Sequence, residues 1–371
     1  MRALRLVIEQ VPSEDLGIVS YFGEELMQTS TAPRHYVGID IGSKEHTAAV
    51  FTTTEAKRPL IAFSNDEDGL TVLLGWLAEN GVQPAESVLC LEATGVYGEA
   101  LTYFLAARQW RLAVEAPQHV KRGMGKPNKN DAVDAKQIAE YAYRYFDQLT
   151  LWQAPNAILE RVETILTTRQ HCMVEKVRLG NMLHAFKRKT VQTPLVEQIL
   201  RQQKELVEKH IKELDAAVKK EIRSDPTFKE KVRLAQTVPG VGPMISAGML
   251  VLSNGFSEHL DHKRLASYLG ICPHEHTSGT SVRRKARSRR SGPKLMRGWL
   301  HNAVMCLIGH DKRYITYFQE RKAKQQLGAV VMNNLANKLL KVLCAVINSG
   351  KPYQENHVSI KPSHKPALAI S

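Results

Sequence analysis

The chain has 371 residues, 43% of them hydrophobic: too long for one ordinary domain and too apolar for a wholly disordered protein. Lys and Arg outnumber Asp and Glu by 51 to 37, giving a net charge of +14 and a pI near 9.5. That excess calls for a polyanionic partner, nucleic acid before an anionic membrane surface. The five cysteines are scattered with no C-x-x-C pair, so neither a disulfide framework nor a zinc ribbon is supported. No apolar run is expected to reach transmembrane length. Glu9, Glu14 and Asp15 interrupt the place where a signal peptide needs an apolar core. A soluble, cytoplasmic protein is expected.

Residues 1–33 show no strong period and read as an N-terminal extension, with 1–26, before Met27, dispensable. The first convincing strand, 35–43, carries Asp40 inside an apolar run. Gly42 then allows a tight turn into a second strand at 46–51, and 57–63 supplies a third. Residues 68–80 form an amphipathic helix with Leu70, Leu73, Leu74 and Leu77 on one side. A buried strand at 87–94 again holds one acid, Glu92. A helix at 98–109 and a strand at 111–116 follow. A basic, glycine-bearing loop (Lys121, Arg122, Lys126, Lys129) leads into K-N-D-A-V-D-A-K, where Asp131 and Asp134 share one face of a helix start. Asn130 can cap that helix, and acids suit its first turn; for an isolated N-D-x-x-D this structural role is enough. Three strands followed by alternating helix and strand is the order of an RNase H-like α/β domain, here 34–150.

From 151 to 230 the apolar positions recur at threes and fours, predicting a helical hairpin of coiled-coil character. Its narrow stripe suits packing within the chain and pairing between subunits equally well. Residues 231–350 form a third, mostly helical region. It opens on V-P-G-V-G-P, which resembles a helix-hairpin-helix turn whose Gly240 and Gly242 let backbone N–H groups approach a phosphate. His274 and His276 flank Glu275 in what reads as a solvated polar loop running to Gly279. Eight cations and no acid follow: Arg283, Arg284, Lys285, Arg287, Arg289, Arg290, Lys294 and Arg297. Apolar helices at 295–308 and 330–347 tether this run within a fold, so contact with DNA or RNA phosphates is expected. Residues 351–371 read as a loose polar tail.

Asp40, Glu92, Asp131 and Asp134 thus come from three buried-looking segments. Burying four carboxylates without a cation is costly or forces them to be neutral. A two-metal phosphodiester site removes the problem, and oxygen ligands suit Mg2+ or Mn2+.

In their order and spacing G-I-D-I-G-S-K, L-E-A-T-G-V-Y, K-N-D-A-V-D-A, V-P-G-V-G-P and T-S-G resemble the DEDD insertion-sequence transposases, over residues 34 to 348. That family has a RuvC-like N-terminal domain and a C-terminal serine-bearing transposase domain. It is regarded as a group of bridge-RNA-guided recombinases and is related to Piv-type DNA invertases. The resemblance implies a bacterial or archaeal protein with Mg2+ or Mn2+ at the Asp40–Glu92–Asp131–Asp134 tetrad. It implies double-stranded donor and target DNA, a structured guide RNA, and a homo-oligomer as partners. It also implies a nucleophilic serine. Ser278, directly before Gly279, fits; Thr277 stands where the family often has a first serine, and Ser281 is the fallback. The expected chemistry is DNA cutting and rejoining through a phosphoserine bond, with Arg284 and its neighbours steadying phosphate charge. Tetrad and serine in different domains make a composite site, expected between subunits. The rival readings are a hydrolytic RuvC-like nuclease or junction resolvase, a site-specific invertase of the same family, an actin-like kinase that lacks a second phosphate loop, and a non-catalytic nucleic-acid scaffold.

Overall fold

The computed structural model describes residues 33–53, 58–93, 95–124, 130–191, 193–257, 259–278, 282–288 and 292–355. The chain divides into two compact units, Met1–Pro155 and Asn156–Ser371.

In the first unit β1 (His35–Asp40), β2 (Glu45–Phe51) and β3 (Leu60–Ser64) form the expected antiparallel meander. α1 (Glu67–Glu79) then leads to β4 (Ser87–Glu92), which pairs parallel to β1. α2 (Glu99–Ala106) leads to β5 (Leu112–Glu115), parallel to β4. The mixed sheet runs β3-β2-β1-β4-β5, consistent with an RNase H-like domain. Alternation along the strands makes its two faces. Val37, Ile39, Leu89 and Leu91 face a core that includes Leu70, Leu73 and Leu77 of α1 and Leu101 and Leu105 of α2. Tyr36, Val88, Cys90 and Ala113 point the other way, onto Ile138, Tyr141 and Ala142 of α4 (Asp131–Arg144). α3 (Pro117–Met124) precedes α4. It places Lys121, Arg122 and Gly123 on a helix where a loop was expected, because Gly123 reads as a breaker yet packs against Tyr141 and Tyr145.

One glycine sets the distance between β1 and α4. A Cβ at Gly38 would lie 2.2 Å from both the Ala135 carbonyl oxygen and the Ala139 backbone nitrogen. Backbone meets backbone there, and only glycine fits.

In the second unit α5 (Ala157–Phe186) and α6 (Pro194–Arg223) make the predicted hairpin, packed through Leu179, Leu183 and Leu200. Arg161–Glu221 at 2.8 Å, Lys176–Glu208 at 3.1 Å and Arg169–Asp215 link the helices. Intramolecular packing is therefore realised, while Val174 and Val177 stay exposed on α5. α7 (Pro226–Ala235), α8 (Pro243–Leu252) and α9 (His262–Tyr268) follow. α8 is the buried centre: a Cβ on its Gly248 would sit 2.5 Å from Met296 and 2.8 Å from Trp299 of α10 (Lys294–His310). α11 (Lys312–Ala323) and α12 (Gly328–Ser349) complete the unit.

Three expectations for this unit are corrected. The segment read as a polar loop and basic run is an antiparallel ribbon, β6 (Pro273–Ser278) on β7 (Val282–Ser288), with a register irregularity between His274 and His276. Its H-E-H-T-S and R-R-K-A-R-S stretches carry no apolar alternation, so period two cannot show in them. The start of the tail is anchored: the Tyr353 N–H donates to Thr237 Oγ1 at 2.9 Å and its hydroxyl accepts from Arg313 at 2.5 Å. α12 is long and apolar enough to cross a membrane by length and composition. Here it is a core helix: Leu335, Leu339, Leu340 and Leu343 are buried, and Asn333 and Asn337 donate to the Ile271 carbonyl.

Candidate active site

Asp40 ends β1 and Glu92 ends β4. The two strands are parallel neighbours, with Ile39 opposite Leu91, so the next residue on each brings the acids side by side at one end of the sheet. Both follow, at a spacing of two, residues that face α4 (Gly38 and Cys90), so both carboxylates lie on the α4 side. α4 delivers the other two. Asn130 starts it by accepting from the Ala132 N–H at 3.1 Å, which leaves Asp131 exposed and Asp134 half-buried in the first turn. The Gly38 contact then holds that turn close to the sheet.

Electrostatics report the convergence. Burial pushes the Asp40 carboxyl up to about 6, and the charges of Asp134, Asp131 and Glu92 add to it, against a backbone hydrogen bond at Ile41. Glu92 is also raised, by burial first and by Asp134, while the Lys121 ammonium pulls it down. Asp40 thus feels the charges of the other three acids, and Glu92 that of Asp134. Lys121, expected to touch nucleic acid, has its charge directed at Glu92.

The donors are all carboxylate oxygens, the set a hard divalent cation takes. As the side chains stand, no three His, Cys, Asp or Glu among the described residues are grouped so as to hold an ion. The other acids raise Asp40 through their charge without the side chains closing on a point. Donor type and excess negative charge fit a divalent cation, and Asp131, the exposed member, has most freedom to move toward one.

A fifth acid belongs to the same face. Glu115 ends β5 directly opposite Glu92, is only 9% exposed, and lies 3.2 Å from His119 Nδ1. Its charge helps raise the Cys90 thiol far above its usual range and the Tyr141 hydroxyl to about 12, burial being the larger cause for both. In sequence it is an ordinary acid at a strand end; only the pairing of β4 with β5 singles it out.

Ser278 is the last residue of β6 and pairs with Val282; Gly279 and Ser281 lie outside the described residues. Arg283 and Arg284 stand opposite Thr277 and His276 on β7, with Lys285 and Arg287 further along the strand. Lys126, Lys129, Arg289 and Arg290 lie outside the described residues. Arg122 is exposed on α3, and Lys294 is the first residue of α10. Arg297 turns inward, donating to the Leu269 carbonyl at 2.9 Å. Gly240 has φ +83° in the turn before α8, where a Cβ would meet Leu307 at 2.7 Å, and Gly242 caps the helix start in an extended conformation.

Residues 37–190, which span the tetrad, match the DEDD-type IS110 domain described as a transposase. Residues 232–319, which span Ser278 and the basic ribbon, match the transposase domain of the IS116/IS110/IS902 family. The pilin gene-inverting protein of Moraxella lacunata is 24% identical over 328 residues, 86% of this chain and 98% of that protein. A probable family 20 transposase of Pseudomonas aeruginosa is 24% identical over 296 residues, 71% of this chain and 86% of that protein. The transposase for insertion sequence element IS1111A of Coxiella burnetii is 23% identical over 269 residues, 64% of this chain and 72% of that protein. A DEDD transposase domain carries a general dependence on divalent metal. With both matched domains in order along one polypeptide, the chain belongs to the IS110 family of transposases.

Proposed function

We propose that this transposase cuts and rejoins DNA through a phosphoserine intermediate, with a RuvC-like tetrad of Asp40, Glu92, Asp131 and Asp134 and with Ser278 as nucleophile. The observation that carries this reading is the Asp40 carboxyl, pushed to about 6 among three other acids at one end of the sheet. Such a carboxyl is poised to accept a proton near neutral pH. Ser278 Oγ attacks the phosphorus of a DNA phosphodiester. The Oγ–P bond forms as the bond to one bridging oxygen breaks, and the serine proton passes to a tetrad carboxylate and on to the departing oxygen. A phosphodiester is exchanged for a phosphodiester, so a second DNA hydroxyl can reverse the step on a new partner without external energy. Arg283, Arg284, Lys285 and Arg287 on β7 supply positive charge for the crowded phosphate. A divalent ion held by the tetrad would lower the pKa of the attacking oxygen and stabilise charge on the leaving one; Mg2+ is the expected ion.

Tetrad and serine come from different compact units, and we infer a composite site completed between subunits of a homo-oligomer. A structured RNA from the flank of the element would choose donor and target DNA. The likeness to the pilin gene-inverting protein over 98% of its length favours one second reading, site-specific inversion by the same chemistry.

Denaturing electrophoresis of the protein reacted with DNA from the ends of its element tests the mechanism. A covalent protein–DNA adduct is expected, lost in Ser278→Ala and kept in Ser281→Ala. Nicked DNA with no adduct in any variant would make water the nucleophile and replace the proposal with a hydrolytic nuclease.

A further inference from the structure

Away from the tetrad, the second unit holds a cleft of about 240 Å³ between α11, α12 and the turn that precedes α8. Its lining joins three tyrosines to three cations over an aliphatic floor that includes Leu335. The cations are not equivalent. Arg313 is engaged by Asp311 through two contacts, 3.1 and 2.5 Å, and lies 3.9 Å from Glu355. Lys338 and Lys341, three residues apart on one face of α12, are exposed, and neither has a carboxylate partner among the described residues. Lys338 Nζ rests instead 3.8 Å above the Tyr317 ring.

This is a site with two spare positive charges, an aromatic wall and little room. Its volume falls below the roughly 300 Å³ at which pockets for drug-sized ligands begin, and no duplex enters such a space. Phosphate oxygens suit the two lysines, and a planar π-system suits Tyr314 and Tyr317. An exposed cation–π contact is weak, and the four-carbon stem of Lys338 lets it leave the ring for a phosphate, uncovering the ring face for a base. The cleft also adjoins Val238 and Pro239 of V-P-G-V-G-P, the turn singled out for phosphate approach. Rigidity is supplied from below, where Arg313 and Thr237 fasten Tyr353.

We propose that this cleft receives one unpaired nucleotide of a bound strand, its base against Tyr317 and Tyr314 and its flanking phosphates on Lys338 and Lys341. The inference rests on the nucleic-acid recombinase reading and adds to it a place where the protein senses a base out of its helix. DNA and RNA share the chemistry, and the test separates them.

Single strands of oligothymidine and oligouridine, each with one central 2-aminopurine, would be titrated into the full-length protein beside a blunt duplex. For the preferred strand we expect a fluorescence change on binding that Tyr317→Phe retains and Tyr317→Ala loses, with at least about fivefold weaker affinity. The double variant Lys338→Gln/Lys341→Gln, both at exposed positions, should lower the slope of log affinity against log salt by about 1.4 for single strands. It should change duplex binding little. Equal losses on single strand and duplex, or an unchanged 2-aminopurine signal in Tyr317→Ala, would overturn the cleft proposal while a Ser278 adduct in the same variants left the recombinase standing. A wild-type protein that bound neither strand nor duplex would sink both.

Discussion

Asp40 keeps its proton up to about pH 6 in the folded chain, whereas an ordinary aspartate releases it near 3.8. Between those values the folded state holds more protons than the unfolded one, so stability falls as pH rises. The contribution of Asp40 to the stability of the metal-free protein is therefore fully present below about pH 4 and is lost as pH climbs through 6. Thermal unfolding in chelator across that window, wild type against Asp40→Asn, checks the direction. Asp40→Asn removes the titrating group and should raise metal-free stability at neutral pH by about 1 kcal/mol, a figure discounted for partial exposure, while abolishing DNA cleavage. A variant both less stable and inactive would mean that Asp40 is held by favourable contacts, against the reading of four acids in mutual repulsion. Asp40 and Glu92 stood out in the sequence because each follows an apolar run, and each proves to end its strand. Glu115 was not, since its meaning comes from the neighbour that β5 acquires on pairing with Glu92.

At the scale of elements, the site depends on how closely α4 lies on β1. A side chain at Gly38 would strike the backbone of Ala135 and Ala139 at 2.2 Å, and backbone cannot rotate away. Gly38→Ala is expected to destabilise the protein by about 3 kcal/mol, as severe overpacking does. It should also weaken divalent-metal binding by moving Asp131 and Asp134. Denaturant unfolding with a metal titration on the folded fraction measures both, and a stable Gly38→Ala protein with unaltered metal affinity would separate the helix position from the site. The sheet and both long helices could be read from periodicity because each buries a regular face. The β6–β7 ribbon could not, because cations occupy β7 with no apolar alternation, and α11 has no fully buried residue to set a period. α3 was hidden by a glycine that serves packing rather than a turn.

For the whole molecule, a charge of +14 and two matched domains in one chain agree on a protein that handles DNA. The acids occupy the first unit, whereas the basic ribbon and the Lys338–Lys341 cleft belong to the second. That separation of charge fits a division between cation-dependent chemistry and nucleic-acid grip. Whether carboxylates from β1, β4 and α4 make one cation site can be read by calorimetric titration of the chelator-treated protein with a divalent cation. Binding is expected to release protons near pH 6 and few above pH 8. Asp40→Asn, Glu92→Gln and Asp134→Asn should each weaken it by more than the roughly tenfold cost of losing a hydrogen-bond partner of a ligand. Affinity unchanged in all three variants would contradict the single site.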